Sequence, residues 1–176
     1  MRRSTFLLST STLLFALGLG ACDGSPSALE DEFERDMATI QQATSVYQQF
    51  DAAVADGFIP LSGCVASPAG AMGYHYGHPA RIGDPTIDPA RPEILLYAPS
   101  PGGGMQLVGV EFMVHRDAWY GAGNSAPPKV AGQDFDPPNP QHPDEAIREM
   151  YTLHVWNWVE NPLGVFAHFN PMVSCG

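Results

Sequence analysis

Lysine is nearly absent from this chain: Lys129 is the only one, and 8 basic side chains stand against 19 acidic ones. Such a surface repels a phosphate backbone, and no basic stripe or basic amphipathic helix offsets it, so nucleic acid is excluded as a partner. Cysteine is scarce, three in all, and no two of them form a CxxC pair. That removes thiolate zinc sites of the finger type. HExxH, HxH, GxSxG, a P-loop and a dinucleotide fingerprint are also missing, so no familiar signature assigns a reaction. The "SPGGG" stretch at 100–104 has no helix pattern after it and reads as a hairpin loop, not a phosphate cradle. No apolar run is long enough to span a bilayer, and the one at the start of the chain is too short and too interrupted by serine and threonine.

That start is informative. Arg2 and Arg3 precede the apolar run "FLLSTSTLLFALGLGA", which ends at Cys22. The pattern is that of a signal peptide, and "LGAC" at 19–22 reads as a lipoprotein cleavage box, with Cys22 taking the lipid. The expected organisation is a leader at 1–21, an acidic tether at 22–32 and a single domain at 33–176. Loss of the two arginines takes the formal charge from −11 to −13. The mature chain is then exported and anchored to the bacterial cell envelope through Cys22, in the periplasm or on the outer face of the membrane. Cys64 and Cys175 remain, an even pair in a compartment that permits oxidation, and are expected to join.

Within the domain, Phe33, Met37, Ile40, Tyr47, Phe50 and Val54 recur at helical spacing up to Gly57, so an amphipathic helix is expected over about residues 34–56. Short β-like runs then alternate with Pro and Gly: "MGYHY", "EILLY", "MQLVGVEFMVH", "YTLHVWNWV" and "GVFAHF". The fold class that follows is α+β: one long N-terminal helix packed on an antiparallel sheet that could close into a barrel-like form. Between His115 and Tyr151 lies a long proline-rich loop, of the kind that serves as a lid, a binding loop or an oligomer contact. Its last piece, from Asp144, is expected to make a capped helical turn.

Strand parity sorts the candidate chemistry. In 106–116, Val108, Val110, Phe112 and Val114 form one apolar face, while Glu111 and His115 share the other. The runs 151–159 and 164–169, joined by "ENPL", read as a hairpin. Pairing about Pro162 sets Trp156 opposite His168 and Trp158 opposite Phe166, with His154 diagonal to His168. The densest stretch, "GAMGYHYGHP" at 70–79, adds His75 between Tyr74 and Tyr76. The convergent set is therefore His75, Glu111, His154 and His168, two or three imidazoles and a carboxylate suited to Zn, Cu, Fe or Mn. Tyr74, Tyr76, Trp156 and Trp158 are the candidate pocket walls. Met72 and Met113 could be soft copper ligands, although methionine more often fills gaps.

As a set, "GAMGYHY", "RPEILLY", "LVGVEF", "LHVWNW" and "NPLGVFAHFNPMVSC" resemble an uncharacterised family of exported bacterial domains, over about residues 39–175. The resemblance implies secretion, an N-terminal helix and a β-rich body, and carries no activity or catalytic residue. Three functions follow from the residues: a binding module for a metal or small ligand, a metal-dependent enzyme with cupin-like His/Glu ligation, or a structural envelope protein that oligomerises through its aromatic face. The lipid anchor is directly testable. Cys22→Ala is expected to move the protein from the membrane to the soluble fraction or leave it unprocessed, with no lipid mass on the chain. A wild-type protein that is soluble and unlipidated would contradict the reading.

Overall fold

The computed structural model describes residues 27–176; the leader, the cleavage box and Cys22 lie outside the described residues. Ser27 opens the described chain with a capping box: its hydroxyl accepts from the Glu30 amide, and the Glu30 carboxylate accepts from the Ser27 amide at 2.6 Å. Two of the amides that a helix start leaves free are thereby satisfied. Helix α1 consequently spans Ala28–Thr44, so residues 28–32 are helical and not tether. Asp36, Ile40 and Thr44, four residues apart, form its buried stripe.

The single helix expected over 34–56 is instead broken into α1, a 3-10 turn at Ser45–Gln48 and helix α2, Phe50–Asp56. Thr44 turns its hydroxyl back onto the Ile40 carbonyl at 2.7 Å. Gln49 is then extended, with φ −85° and ψ 101°. This bend carries Tyr47 and Ala53 into the same core as Ile40, and the Tyr97 hydroxyl fixes it by donating to the Tyr47 carbonyl at 2.6 Å.

The strands are β1 (Ile59–Pro60), β2 (Val65–Ser67), β3 (Gly70–Gly77), β4 (Ile94–Pro99), β5 (Met105–His115), β6 (Lys129–Val130), β7 (Gln133–Asp134) and β8 (Met150–Val155). Short helices α3 (Pro79–Ile82) and α4 (Arg116–Gly121) follow β3 and β5. The antiparallel sheet runs β1-β3-β4-β5-β8, with β2 also on β3. It is open and does not close into a barrel: β1 and β8 lie at opposite edges. The outer edge of β8 meets Asp136 through an isolated bridge to Thr152.

Both faces of this sheet are covered. Helical residues Ile40, Tyr47 and Ala53 pack with Leu95, Tyr97, Val110, Phe112, Val114, Leu153 and Val155 on the first. The second carries Ile94, Leu96, Ala98, Val108, Met113 and Trp156, under the C-terminal residue Val173. Leu96 pairs with Gly109 and Tyr97 with Leu107, so Val108 is an extra residue in a bulge. Simple alternation put Val108 on the first face; the bulge moves it to the second and brings Leu107 to the first.

The hairpin expected over 151–169 does not form. Strand β8 ends at Val155, and Trp156 donates its amide to Val165 at 2.9 Å, so Trp156 meets residue 165 rather than His168. Pro162 has no amide to donate, and Asn161 bends the chain by accepting from the Leu163 amide and donating to the Phe169 carbonyl. Val165 and Phe166 beyond it pack on the first core, and only the last stretch, with Val173 and Cys175, lies against the second face. There Asn170 bridges Ala71, an approach that needs Gly70, φ 127°, because a Cβ would collide with the Asn170 carbonyl.

The proline-rich loop is part of the core. Ala131 and Gly132 take positive φ, 53° and 74°, the geometry of a tight hairpin turn between β6 and β7. Val130, Ala131 and Phe135 are buried in the first core, and the Ala131 amide donates to the Asp36 carboxylate at 2.9 Å. Asp144 caps the 3-10 turn Glu145–Ile147, accepting from the Ala146 amide.

Cys64 and Cys175 are disulfide-bonded, with Cα atoms 5.7 Å apart and a sequence separation of 111. The bond holds the C-terminal run against the start of the sheet. Replacing both cysteines by serine is expected to lower unfolding free energy by about 4 to 5 kcal/mol, from the loop freedom returned to the unfolded chain. The denaturant midpoints of the two proteins measure it; an unchanged midpoint would refute the assignment of that role.

Candidate metal centre

The second face of the sheet positions three ionisable side chains. His75 on β3 pairs with Leu96 on β4, Glu111 on β5 pairs with Ile94, and Glu111 pairs with His154 across the β5 and β8 ladder. All three therefore project on the side that carries Leu96 and Ile94. His75 Nε2 lies 3.6 Å from Glu111 Oε2, and His154 Nδ1 lies 3.9 Å from Glu111 Oε1. A ligand atom from each residue falls within 4.8 Å of one from each of the others. Their side chains are only 11%, 5% and 6% exposed for His75, Glu111 and His154.

Ser62 Oγ donates to the Gly63 carbonyl at 2.8 Å, so its contact with His75 Nδ1 at 3.0 Å makes that nitrogen the donor. His75 Nε2 is then a bare lone pair turned toward a carboxylate oxygen. His154 is more exposed to penalty, since neither of its buried ring nitrogens has a partner. Leaving buried polar atoms unpaired costs roughly 1 to 3 kcal/mol each. The gaps of 3.6 and 3.9 Å exceed hydrogen-bond length. They are close to the separation of about 3.3 Å between neighbouring ligands on a tetrahedral ion with bonds of about 2.0 to 2.1 Å.

The electrostatics agree with the burial. Desolvation pushes His75 down to about 4, and desolvation followed by the charges of His75 and His168 pushes His154 down to about 3. Both imidazoles are thus neutral at pH 7, the form that ligates a metal. Glu111 is pushed up to about 8, first by burial and then by Glu93 and Asp136. Glu93, buried beneath the same sheet with its carboxylate on the Met113 amide at 3.0 Å, is pushed up to about 8 by burial.

His168 stands at the rim. Its ring centroid is 5.8 Å from that of His154, and its Nε2 meets Asp136 Oδ2 at 2.7 Å with both side chains about half exposed. His115, expected beside Glu111, is exposed and caps α4 by accepting from the Asp117 amide. The expected pocket walls do not assemble. Tyr74 and Tyr76 point to the first core, where Tyr76 meets Phe50 and Tyr97 edge to face. Trp158 lies there too, its indole donating to Thr44 Oγ1 at 3.1 Å. Adjacent strand positions face opposite ways, so only His75 of "YHY" can reach the site. Trp156 alone of the four is on the site's face, packed close to Gly109, where a Cβ would lie 3.3 Å from its ring. Met113 fills the second core. Ser62, Glu93 and Asp136 were not legible as site residues; each sits in or beside irregular chain, with no periodicity to aim it.

Comparison with protein-family models, with curated proteins and with solved structures finds no match to this chain.

A carboxyl that ionises near 4.5 in the unfolded chain and near 8 in the fold favours folding only while it holds its proton. Glu93 and Glu111 therefore stabilise at low pH, and that stability drains away as pH rises through 8. His75 and His154 act oppositely, but their contribution is complete once the unfolded imidazole is neutral, above about 6.5. Metal-free protein is expected to lose stability between pH 6.5 and 8, by of order 1 kcal/mol per pH unit for each carboxyl. Glu111→Gln should flatten that slope, as read from denaturant midpoints in the presence of a chelator. A wild-type slope of zero or of opposite sign would refute the buried-acid assignment.

Proposed function

We propose that this chain is an exported, lipid-anchored module that binds a divalent transition metal through His75, Glu111 and His154. The observation that carries the reading is His154, a buried imidazole with both nitrogens unpartnered beside a buried carboxylate. A cation between the three would satisfy one nitrogen of each histidine and compensate the Glu111 charge. Two imidazoles and one carboxylate without sulfur favour Zn²⁺ or Fe²⁺ over Cu⁺. The Ser62 contact to His75 Nδ1 is the outer hydrogen bond that ligating histidines characteristically make, fixing the ring with its other nitrogen toward the ion.

Burial favours holding over catalysis. Catalytic zinc keeps an open coordination position for substrate, whereas these three side chains are almost wholly covered. The small-ligand alternative loses support because Tyr74, Tyr76 and Trp158 face the other core. The aromatic-face oligomer loses it similarly: Phe166 meets Phe33 edge to face within the chain, and Trp156 is buried on the opposite side from Trp158. Membership of an exported family and anchoring through Cys22 remain part of the proposal, on the strength of the leader and the motifs.

Protein isolated without chelator is expected to carry one transition-metal ion per chain by elemental analysis. Adding Zn²⁺ to the stripped protein at about 100 times Kd should raise unfolding free energy by about 2.7 kcal/mol. His154→Ala should lower affinity by at least about 100-fold, more than the loss of an outer hydrogen bond, while the stripped variant keeps its fold, because relief of the unpaired nitrogens offsets part of the cavity cost. No bound metal and no Zn²⁺ response in wild type would sink the proposal.

A further inference from the structure

The inner three residues leave one question of access, since an ion must cross a layer of buried side chains to reach them. His168 and Asp136 place two ligand-type side chains, both about half exposed, beside the site. Their placement is held on both sides. Asp136 is locked to the β8 edge by paired backbone bonds to Thr152, 2.8 and 3.2 Å, two residues before His154. His168 follows Ala167, whose carbonyl accepts from the buried Trp156 indole at 2.5 Å. Trp156 is itself two residues beyond His154 on the same face. The strand that carries the inner ligand therefore also fixes both rim residues.

Resting on the metal reading above, we propose that His168 and Asp136 form the capture station through which a divalent metal ion reaches His154 and is released from it. The imidazole and carboxylate bind the hydrated ion at the surface, the carboxylate supplying the charge that attracts it. The ion exchanges water for the unpartnered His154 nitrogens across a ring separation of 5.8 Å, and it settles between His154, Glu111 and His75. His168 is thus a transfer ligand and not one of the residues that hold the ion at rest. Ion–water bonds are exchanged for ion–ligand bonds and the proton held by the Glu111 carboxyl is released to solvent as it ligates, so no oxidant or further reactant is required.

Stopped-flow uptake of Zn²⁺ by the stripped protein, and its release to a chromophoric chelator, distinguish the roles. His168→Ala is expected to slow uptake and release together by at least about tenfold, leaving Kd within about threefold of wild type. Asp136→Asn, which keeps the backbone pairing, should slow uptake in the same direction and make it less sensitive to salt. If His168→Ala leaves both rates unchanged, the capture role is refuted. If it raises the release rate and weakens Kd at an unchanged uptake rate, His168 is a resting ligand and the capture role is likewise refuted. Failure of wild type to take up Zn²⁺ at all refutes the underlying site, an outcome that neither rim variant can mimic.

Discussion

Strand β5 is buried on both faces, and most of the architecture answers that constraint. Residues 107–114 are all covered, so one layer must lie on each side. The helical segment supplies the first through Ile40, Tyr47 and Ala53. No second long helix exists among the described residues to supply the other, and the irregular C-terminal run does so instead, with Val173 and Trp156 against Val108 and Met113. An irregular segment cannot satisfy its backbone through its own ladder. Asn170 and Asn161 do part of that work from side chains, each bonded to neighbouring carbonyls and amides. The disulfide keeps the end of the run from fraying away.

A central strand with two dry faces has no cheap place for charge, which makes Glu111 the anomaly in the structure. Desolvation raises its affinity for a proton, and Glu93 on the neighbouring strand's approach compounds the effect. A carboxyl in such a place either stays protonated or finds a cation. Its neighbours in this fold are not lysine or arginine but two imidazoles that burial itself holds neutral. Neutral imidazoles do not compensate a carboxylate; they complement one around a metal ion.

Alternation carried the reading of the sequence some distance. It paired Glu111 with the non-aliphatic side of β5 and placed His75 apart from its flanking tyrosines, and the three inner residues do converge. The antiparallel α+β class was legible for the same reason, in the runs around Leu95, Val110 and Leu153. What failed were places where period is lost. The bulge at Val108 reassigns a face through one extra residue. The stretch after Val155 looked like a strand by composition, yet Asn161, Pro162 and Gly164 turn it, and Trp156 and Trp158 separate to opposite cores. The helix break after Thr44 likewise turns on a 3-10 turn and an extended Gln49, a choice that helical spacing of apolar residues does not register.

Histidine shows most clearly why environment, and not residue type, decides chemistry here. His115 is exposed and accepts from a helix amide; His168 is half exposed and paired with Asp136; His75 is buried and tied to Ser62. His154 is buried with nothing. Elsewhere the protein satisfies its interior polar groups closely: Asp36 accepts from Ala131, Tyr97 donates to Tyr47, and Trp156 donates to Ala167. Among the described residues only His78 Nδ1 and one oxygen of Glu149 share the unpartnered condition, and that Glu149 oxygen has Arg116 2.8 Å away. No other residue has two such atoms. A packing role for His154 would be served better by an apolar side chain of similar volume, which would leave no orphaned nitrogen. The unpartnered imidazole, set beside Glu111 and within 4.8 Å of a ligand atom of His75, is therefore the feature on which the proposed metal site rests.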